Sequence, residues 1–422
     1  METRLADWFK DTSDGKVADA ILRACVHCGF CTATCPTYQV LGDEKDGPRG
    51  RIYLMKQVME GAQPTVATMT HLDRCLTCRN CESTCPSGVQ YGHLLDIGRR
   101  LVEERVERPL AQRAVRALLR ETLTRRWLFD PAMRVGRVVR PFLPAFLQAK
   151  IPPAADHGEW PSRSHGERVL LLNGCTQPGM LPGIDVATAR ILDRMGVQAV
   201  VAEESGCCGS LRHHLDDPAG ALNDARRNID AWWPHLMSGV EAIVINASGC
   251  GVMVKDYGHL LRDDPQYAEK AARVSASTVD AIEWIGPRLE RLHPPHEGEP
   301  GLEPQRVAFH PPCTLQHGQK IRGQVEALLV AWGATLTVVP DSHLCCGSAG
   351  TYSLLQPELS KTLRDRKLDA LHTGKPEVVL SANIGCLAHL ASGTDTPVRH
   401  WIEWLETRTR RLDKRRQARI PS

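Results

Sequence analysis

Several common features are missing from this chain of 422 residues. A membrane-spanning helix needs about 18 or more consecutive apolar residues, and the longest apolar candidates, near Leu328–Pro340, are too short. The opening segment METRLADWFKDTSDG carries acidic residues and no apolar stretch, which excludes a secretory signal. Aromatic residues make up only 5%, and a net charge of +3 is too small to indicate nucleic-acid binding by itself. We therefore expect a cytoplasmic protein of two or three domains.

Cysteine, by contrast, is abundant, with sixteen residues. Eight of them form two copies of the pattern C-x-x-C-x-x-C-x-x-x-C-P. The first copy is Cys25, Cys28, Cys31, Cys35 and Pro36, and the second is Cys75, Cys78, Cys81, Cys85 and Pro86. In a reducing compartment such cysteines indicate metal ligands rather than disulfides.

This pattern is the bacterial ferredoxin signature for two [4Fe–4S] clusters, in which the fourth cysteine of each run ligates the other cluster. The rule assigns Cys25, Cys28, Cys31 and Cys85 to cluster 1, and Cys75, Cys78, Cys81 and Cys35 to cluster 2. Three thiolates in one tight loop face three irons, and the following proline turns the chain away. Structural zinc is the alternative, since C-x-x-C pairs also bind zinc. Two identical quartets followed by proline favour iron–sulfur clusters and an electron-transfer protein.

Helical periodicity surrounds both motifs within residues 1–108. The segment IYLMKQVMEG lies between them and ends at Gly61, and YGHLLDIGRRLVEERVE follows the second motif. Intervening helices predict a helical ferredoxin-type domain rather than a minimal two-cluster ferredoxin.

A basic connector follows, assigned to residues 109–165. Residues 99–150 hold thirteen Arg or Lys against five Asp or Glu, and the aromatic residues Trp127, Phe129, Phe142 and Phe146 are interspersed. We favour short helices packed on a partner subunit or on the protein's own domains. An anionic membrane surface and nucleic acid are the alternatives. The end of the chain, residues 406–422, is also basic and is predicted to be a solvated or frayed tail.

An internal repeat fills the region between connector and tail. The segments RVLLLNGCTQPG, SGCCGS and VINASGCGVMV match RVAFHPPCTLQHG, LCCGS and LSANIGCLAHL further along the chain. Each half is predicted to run strand, helix, strand, Cys-Cys-Gly loop, helix, strand, Cys. This alternation predicts two α/β lobes with parallel sheets, lobe 1 at residues 166–300 and lobe 2 at residues 301–405.

Each lobe carries four cysteines near the ends of predicted strands, where α/β sheets place ligands. They are candidates for an additional cluster or for redox thiols: Cys175, Cys207, Cys208 and Cys250 in lobe 1, and Cys313, Cys345, Cys346 and Cys386 in lobe 2. The alternatives are small buried core residues or a vicinal disulfide.

The repeat resembles the cysteine-rich CCG domain of heterodisulfide reductases and of lactate- and glycerol-phosphate-oxidising complexes. That family's motif ends in C-x-x-C, whereas Ala247 and Asn383 occupy the first of these two positions here. The departure puts a five-thiolate non-cubane cluster in doubt. Four thiolates per lobe would still suffice for a [4Fe–4S] cluster.

The whole chain, in order, resembles the family of iron–sulfur subunits of bacterial glycolate oxidases. The resemblance rests on CVHCGFCTATCPTYQVLGDEKDGPRGRIYLMKQVMEG, HLDRCLTCRNCESTCPSGV, NIDAWWP, NASGCGVMVKDYG, HPPCTLQHGQK and PDSHLCCGSAGTYSL. It implies a cytoplasmic, membrane-associated complex whose flavoprotein subunits oxidise glycolate to glyoxylate. This chain would then pass electrons from the flavin to a quinone or another acceptor, with peripheral association with the inner membrane through the complex.

The residues agree with that division of labour, because no convincing dinucleotide fingerprint is present. We expect no flavin, no catalytic residue and no substrate oxidation in this chain, since clusters carry single electrons. The alternatives are a subunit acting on a related hydroxy acid or glycerol phosphate, a thiol–disulfide catalytic subunit like heterodisulfide reductase, and a nucleic-acid-binding iron–sulfur protein.

Overall fold

A computed structural model describes residues 1–144, 148, 151–153, 157–295 and 303–418. A helical N-terminal region is followed by two α/β lobes with parallel sheets, which confirms the predicted fold class. Phe146, which the sequence analysis counted in the connector, lies outside the described residues.

The N-terminal region is built from short helices that converge on one apolar core. Leu22, Met55, Leu94 and Leu95 are fully buried in that core. The two helices predicted beside the motifs are present, the first ending at Met59. The α-helices of this region are Asp7–Lys10, Ser13–Ala24, Phe30–Ala33, Pro36–Leu41, Pro48–Met59, Val66–Asp73, Asn80–Thr84 and Tyr91–Glu103, with a 3₁₀ turn at Glu44–Asp46.

The connector forms two basic helices, Leu110–Thr124 and Arg126–Val139, and a 3₁₀ turn, Arg140–Phe142. They lie on the protein's own domains. The Arg116 guanidinium bridges Asp73 of the N-terminal region, at 3.1 Å, and Asp216 of lobe 1, at 2.6 Å. Further along, the Arg137 side chain donates hydrogen bonds to two backbone carbonyls of lobe 1. None of the helices in the described ranges is both long and apolar enough to cross a membrane.

Each lobe contains a four-stranded parallel sheet. In lobe 1 the strands are β1 (Glu167–Leu171), β2 (Val197–Val200), β3 (Ile243–Ile245) and β4 (Thr278–Asp280), in the order β2-β1-β3-β4. In lobe 2 they are β5 (Gln305–His310), β6 (Ala334–Leu336), β7 (Val378–Ser381) and β8 (Val398–His400), in the order β6-β5-β7-β8. The identical order confirms the repeat. The fourth strand of each sheet was not expected from the sequence, because it lies beyond the last pair of repeated cysteine segments, where no repeat was recognised.

Helices connect these strands on both faces of each sheet. The helices of lobe 1 are Gln177–Met180, Gly183–Arg194, Ser210–His214, Pro218–Met237, Ser248–Lys255, Tyr257–Leu260, Ala268–Ser277 and Ala281–Ile285, with a 3₁₀ segment at Gly286–Leu292. Those of lobe 2 are Gln324–Ala331, Tyr352–Leu355, Pro357–His372 and Ile384–Ala391, with one π turn at Thr314–Gly318.

The predicted solvated tail is wrong over its described part. The helix Trp401–Gln417 packs between the two lobes, and Trp401, Leu405 and Leu412 belong to a core shared by both sheets. The buried Arg408 guanidinium donates to the carbonyl of Gly333 in lobe 2 at 2.8 Å. The basic outer face of this helix masked its apolar stripe in the sequence. Residues 419–422 lie outside the described residues.

Candidate metal centres

The two ferredoxin motifs line two separate cavities. Cys25, Cys28, Cys31 and Cys85 line the first, and Cys81 lines both cavities. Cys35, Cys75, Cys78 and Cys81 share the second. The fourth cysteine of each motif therefore lies with the three leading cysteines of the other motif. This grouping is the one that the crossed ligation rule predicts.

Left-handed backbone shapes both cysteine loops. The residues on either side of the second cysteine have positive φ in each motif: His27 and Gly29 in the first, Thr77 and Arg79 in the second. Non-glycine residues adopt this conformation rarely, so its repetition at matching positions indicates a loop geometry held for a purpose. The sequence pattern gave no sign of this strain, since only one of the four residues is glycine.

Burial disfavours the ionisation of several of these thiols. It raises the pKa of Cys31 to about 11 and raises the pKa of Cys78 and Cys81 well above the ordinary value. Buried sulfur atoms also accept hydrogen bonds. The backbone N–H of Thr77 donates to Cys75 Sγ at 3.4 Å, and the Tyr91 hydroxyl donates to the same sulfur at 3.6 Å. Protonated thiols must lose protons to bind metal, so binding would couple to proton release.

A buried cation stands beside the second cavity. The Arg51 side chain is 1% exposed, and its charge acts on Cys75 and Cys35. It donates to the His71 carbonyl at 2.7 Å and lies 3.6 Å from Asp46. A cluster held by four thiolates is anionic, so a fixed cation at this position suits one. The donor set, the grouping and the charge all fit [4Fe–4S] clusters.

The two cavities differ in their access to solvent. Cys28 is exposed beside the first cavity, and the neighbouring Val26 and Phe30 are also exposed. Lobe 2 covers the second cavity, where Cys78 and Leu76 pack against Cys345 in an apolar cluster. The first cavity is therefore open to a partner, and the second faces the interior.

Polar contacts fix the N-terminal region against lobe 2 around that cluster. The Asn80 amide donates to the His343 carbonyl at 3.2 Å, and the Tyr352 hydroxyl donates to the Arg74 carbonyl at 3.1 Å. Ser83 Oγ lies 2.9 Å from His317 Nδ1.

The four thiols of lobe 1 lie together at the carboxyl ends of its strands. The Gly209 N–H donates to Cys207 Sγ at 3.4 Å. Hydrogen bonds from Cys175 and Cys208 lower the pKa of Cys207, although burial opposes them. Cys250 completes the set from the first turn of the helix Ser248–Lys255, within hydrogen-bond reach of Cys208. Within this arrangement, Cys207 is the thiol whose ionisation is favoured by its neighbours.

The four thiols of lobe 2 repeat this arrangement. Cys313 Sγ donates to Cys345 Sγ at 3.9 Å, and the Gly347 N–H donates to the same sulfur at 3.4 Å. Cys346 lies next to Cys386, which is in the first turn of the helix after β7. One neighbour was not expected: His310, the last residue of β5, lies against Cys346 and Cys386. Its signal in the sequence was a buried strand ending in histidine, where the other lobe has Leu172.

Comparison with known proteins places these features in a family. Residues 21–89 match the 4Fe-4S dicluster domain, and residues 169–255 and 307–391 each match the cysteine-rich domain called CCG. The glycolate oxidase iron-sulfur subunit of Escherichia coli K12 is 54% identical over 408 residues, covering 96% of this chain and 98% of that protein. The chain belongs to the family of glycolate oxidase iron–sulfur subunits.

Two more distant proteins are also similar to this chain. The probable glycolate oxidase iron-sulfur subunit of Bacillus subtilis 168 is 31% identical and covers 92% of this chain and 91% of that protein. Lactate utilization protein A of Geobacillus thermodenitrificans is 26% identical, over 53% of this chain and 90% of that protein. The dicluster match contains all eight cysteines of the two motifs. The N-terminal region is therefore a two-cluster iron–sulfur domain, and this glycolate oxidase family member has an electron-transfer role.

Proposed function

We propose that the chain is the electron-transfer subunit of a complex that oxidises glycolate to glyoxylate. The 54% identity to a glycolate oxidase iron-sulfur subunit along almost the whole chain is the observation that carries this proposal. Flavoprotein subunits would perform the two-electron step, because a flavin accepts a hydride equivalent and iron–sulfur clusters carry single electrons. The final acceptor is proposed to be a quinone or a similar oxidant.

We further propose the ligand sets of the two clusters. Cys25, Cys28, Cys31 and Cys85 would hold cluster 1, and Cys75, Cys78, Cys81 and Cys35 would hold cluster 2. The grouping of these cysteines around two cavities supports the assignment. When bound, each cluster supplies a site that gains and loses one electron.

The exposed end of this arrangement is proposed to face the flavoprotein. Val26 is 67% exposed and Phe30 is 61% exposed on either side of the exposed Cys28. Apolar side chains around an exposed cysteine are suited to a protein partner that excludes water from the contact. At the other end, Cys78 lies in one apolar cluster with Cys345. An electron path that continues beyond cluster 2 would therefore lead toward the thiols of lobe 2.

The eight thiols of the two lobes are proposed as a further cluster site or as redox thiols. Their mutual contacts and their position at the strand ends support a common role in each lobe. Thiol–disulfide catalysis, as in heterodisulfide reductase, is the second candidate. The hydrogen bonds that lower the pKa of Cys207 favour it, because a thiolate is the reactive form.

We propose a cytoplasmic location, with peripheral attachment to the inner membrane through the complex. The connector helices support a surface role, because Trp127, Val138 and Phe142 are exposed among basic residues. Such a face suits either a partner subunit or an anionic membrane surface. The location is tested by fractionating cells and asking whether the chain leaves the membrane fraction at high salt.

Anaerobic reduction tests the function. The purified holoprotein is mixed with its flavoprotein partner and glycolate, and cluster reduction is followed by EPR. We expect reduction with glycolate only when the flavoprotein is present, and weaker reduction with lactate or glycerol 3-phosphate as matched controls. Robust glycolate oxidation by this chain alone would contradict the proposal that it is only an electron carrier. Preference for another substrate would reassign the complex to a related hydroxy acid.

A further inference from the structure

A cavity of about 360 Å³ lies at the carboxyl ends of strands β1 and β2 in lobe 1. Its apolar walls are formed by Leu171, Leu172, Ala199 and Val201, which lie at the ends of these two strands. Parallel α/β sheets place small-molecule sites at this edge, and the volume is at the lower end for such sites. In the described part of lobe 1, no cysteine lines the cavity, so it is separate from the thiols.

One buried carboxyl group faces this cavity. Asp185, in the first turn of the helix Gly183–Arg194, lines the cavity although the residue is only 8% exposed. Its Oδ1 accepts hydrogen bonds from Gln177 Nε2 at 2.7 Å and from Asn246 Nδ2 at 2.9 Å, and these two amides hold the carboxyl group in place. Within the described ranges no donor reaches Oδ2, and this oxygen is accessible from the cavity.

The charge of Asp185 is not balanced by an ion pair among the described residues. Burial raises the pKa of Asp185 to about 6, so the group is still mainly ionised at pH 7. Arg126 of the connector exerts an opposing charge effect on Asp185, but its guanidinium is paired with Asp130 at 3.3 Å. Glu403, on the helix Trp401–Gln417, places a second carboxyl group nearby. A buried, unpaired carboxylate is costly, and a bound cation would remove that cost.

A partly exposed indole ring lines the same cavity. Trp160 is 40% exposed, and its segment is fixed to the helix that carries Asp185, because Arg190 Nε donates to the Glu159 carbonyl at 3.1 Å. The face of an indole attracts cations. Asn173 also lines the cavity, and its side chain makes no hydrogen bond within the described part of the chain, so its amide oxygen is a further acceptor.

These groups favour one class of ligand. A hydrated divalent metal ion needs several oxygen ligands, which apolar walls do not supply. A guanidinium group binds a carboxylate best through both oxygens, but Oδ1 of Asp185 already accepts two hydrogen bonds. An ammonium group is a compact charge that one oxygen can bind. We propose that the cavity binds a small aliphatic ammonium compound, with its ammonium group on Asp185 Oδ2 and its apolar body against Leu172 and Val201.

Isothermal titration calorimetry on the full-length, anaerobically purified holoprotein tests this site. The probe is 3-methylbutylamine, and its matched controls are 3-methyl-1-butanol and 3-methylbutanoate, which have similar shapes but carry no charge and a negative charge. We expect saturable binding of one amine per chain at pH 7. The alcohol should bind at least about tenfold more weakly, because it lacks a hydrogen bond between charged groups. The carboxylate should not bind.

Asp185→Asn keeps the shape of the side chain and removes its charge. It should weaken amine binding by about ten- to a hundredfold, the equivalent of one hydrogen bond to a charged group, and leave binding of the alcohol unchanged. Asp193→Asn is the matched control on the same helix. The Asp193 carboxyl group is already bonded to Arg163 and, at 2.8 Å, to His165, so this variant should bind the amine like the wild type.

Fluorine NMR of protein labelled with 5-fluorotryptophan locates the bound amine. The resonance that is missing from Trp160→Phe belongs to Trp160, and it should shift when the amine is added. The resonance of Trp127, which is exposed on the connector and is identified in the same way, should not shift. A shift at Trp127 with none at Trp160 would place the amine elsewhere and overturn the proposal.

Three other results would overturn the site: no saturable amine binding, equal affinity for amine and alcohol, or unchanged amine affinity in Asp185→Asn. Circular dichroism establishes whether that variant is folded. If it is not, Val201→Phe replaces it, because a larger side chain on the opposite wall fills the cavity while Asp185 stays in place, and it should abolish binding. Iron content and glycolate-dependent cluster reduction report on the electron-transfer proposal and not on this cavity, so the two proposals can fail separately.

Discussion

The two repeated lobes share one backbone plan but meet the helical N-terminal region through different kinds of surface. Lobe 2 offers an apolar cluster, in which Leu76 and Cys78 pack on Cys345, flanked by uncharged hydrogen bonds such as that from Asn80 to the His343 carbonyl. Lobe 1 offers charge, with Arg79 and Asp256 paired at 2.9 Å. The repeat therefore determines where the thiols of each lobe lie, and the surroundings determine what those thiols contact. Among the lobe thiols in the described part of the chain, those of lobe 2 pack with a ferredoxin cysteine, and those of lobe 1 do not.

The charged contact with lobe 1 is a network. His93 stacks on His259 with 3.9 Å between ring centroids, and His213 lies 3.3 Å from Asp96. The strength of such charged contacts changes with pH and salt, whereas apolar contacts are weakened when a buried side chain is truncated. The predictions below use this difference, from the largest expected effect to the smallest.

The largest effect concerns the core that joins the two lobes. Trp401 is 1% exposed in that core, so Trp401→Ala should lower the free energy of unfolding by about 3–5 kcal/mol. Both lobes should lose stability together in chemical denaturation followed by circular dichroism. Trp127, which is 68% exposed on the connector, is the control. Trp127→Ala should change stability by no more than about 0.5 kcal/mol. Separate unfolding of one lobe would show that the core is not shared.

The apolar contact with lobe 2 comes next. Leu76→Ala removes a buried side chain between the second motif and lobe 2, and it should cost about 2–5 kcal/mol. Iron should then be lost faster from cluster 2 than from cluster 1, which EPR can follow during mild denaturation. Leu354→Ala, at a partly exposed site in lobe 2, should leave both clusters intact. Equal loss of iron from the two clusters would show that the contact with lobe 2 does not selectively stabilise cluster 2.

A smaller effect is expected on reduction potential. The buried Arg51 cation favours the more negative, reduced form of a cluster held by Cys75 and Cys35. Arg51→Gln should lower the potential of cluster 2 by several tens of millivolts, about 1–2 kcal/mol for one electron. Arg51→Lys should restore most of that shift because it keeps the charge. Potentiometric EPR titration measures both variants, and a shift confined to cluster 1 would contradict the placement of Arg51.

The smallest effect concerns pH at the contact with lobe 1. Burial, helped by the neighbouring His93, lowers the pKa of His259 to about 4. Below pH 6.5 the unfolded chain takes up a proton that the folded chain does not, so stability should fall between pH 6.5 and 4. This contribution is below about 1 kcal/mol, because the ring is only half buried and solvent screens it. The urea midpoint of His259→Gln should depend less on pH than that of the wild type. An unchanged pH dependence would show that His259 does not contribute to it.

Much of the fold followed from pattern. The two helices beside the motifs were predicted from their helical periodicity. The duplicated α/β plan was predicted from the internal repeat. Strands β4 and β8 were missed because they lie beyond the last pair of repeated cysteine segments, and the repeat was the signal that identified the other short strands. The helix Trp401–Gln417 was mistaken for a tail, since its buried stripe depends on two lobes that are distant in sequence.

The candidate sites could likewise be predicted only in part. The grouping of Cys85 with Cys25, and of Cys35 with Cys75, could be predicted from a rule about ligation. The position of His310 beside Cys346 and Cys386 could not, because nothing in the sequence of β5 shows which side chains the ring contacts. Nor did the sequence place Cys78 beside Cys345, a contact between residues 267 positions apart that only the packed structure creates.

The crossed ligation of the two clusters is the central claim, and EPR of two single variants tests it most directly. Cys85→Ser and Cys35→Ser are prepared anaerobically as full-length chains, with the wild type as reference. We predict that Cys85→Ser alters the signal of the cluster held by Cys25, Cys28 and Cys31, and that Cys35→Ser alters the cluster held by Cys75, Cys78 and Cys81. If each variant instead alters the cluster of its own motif, the ligand sets are not crossed and the proposed assignment is wrong.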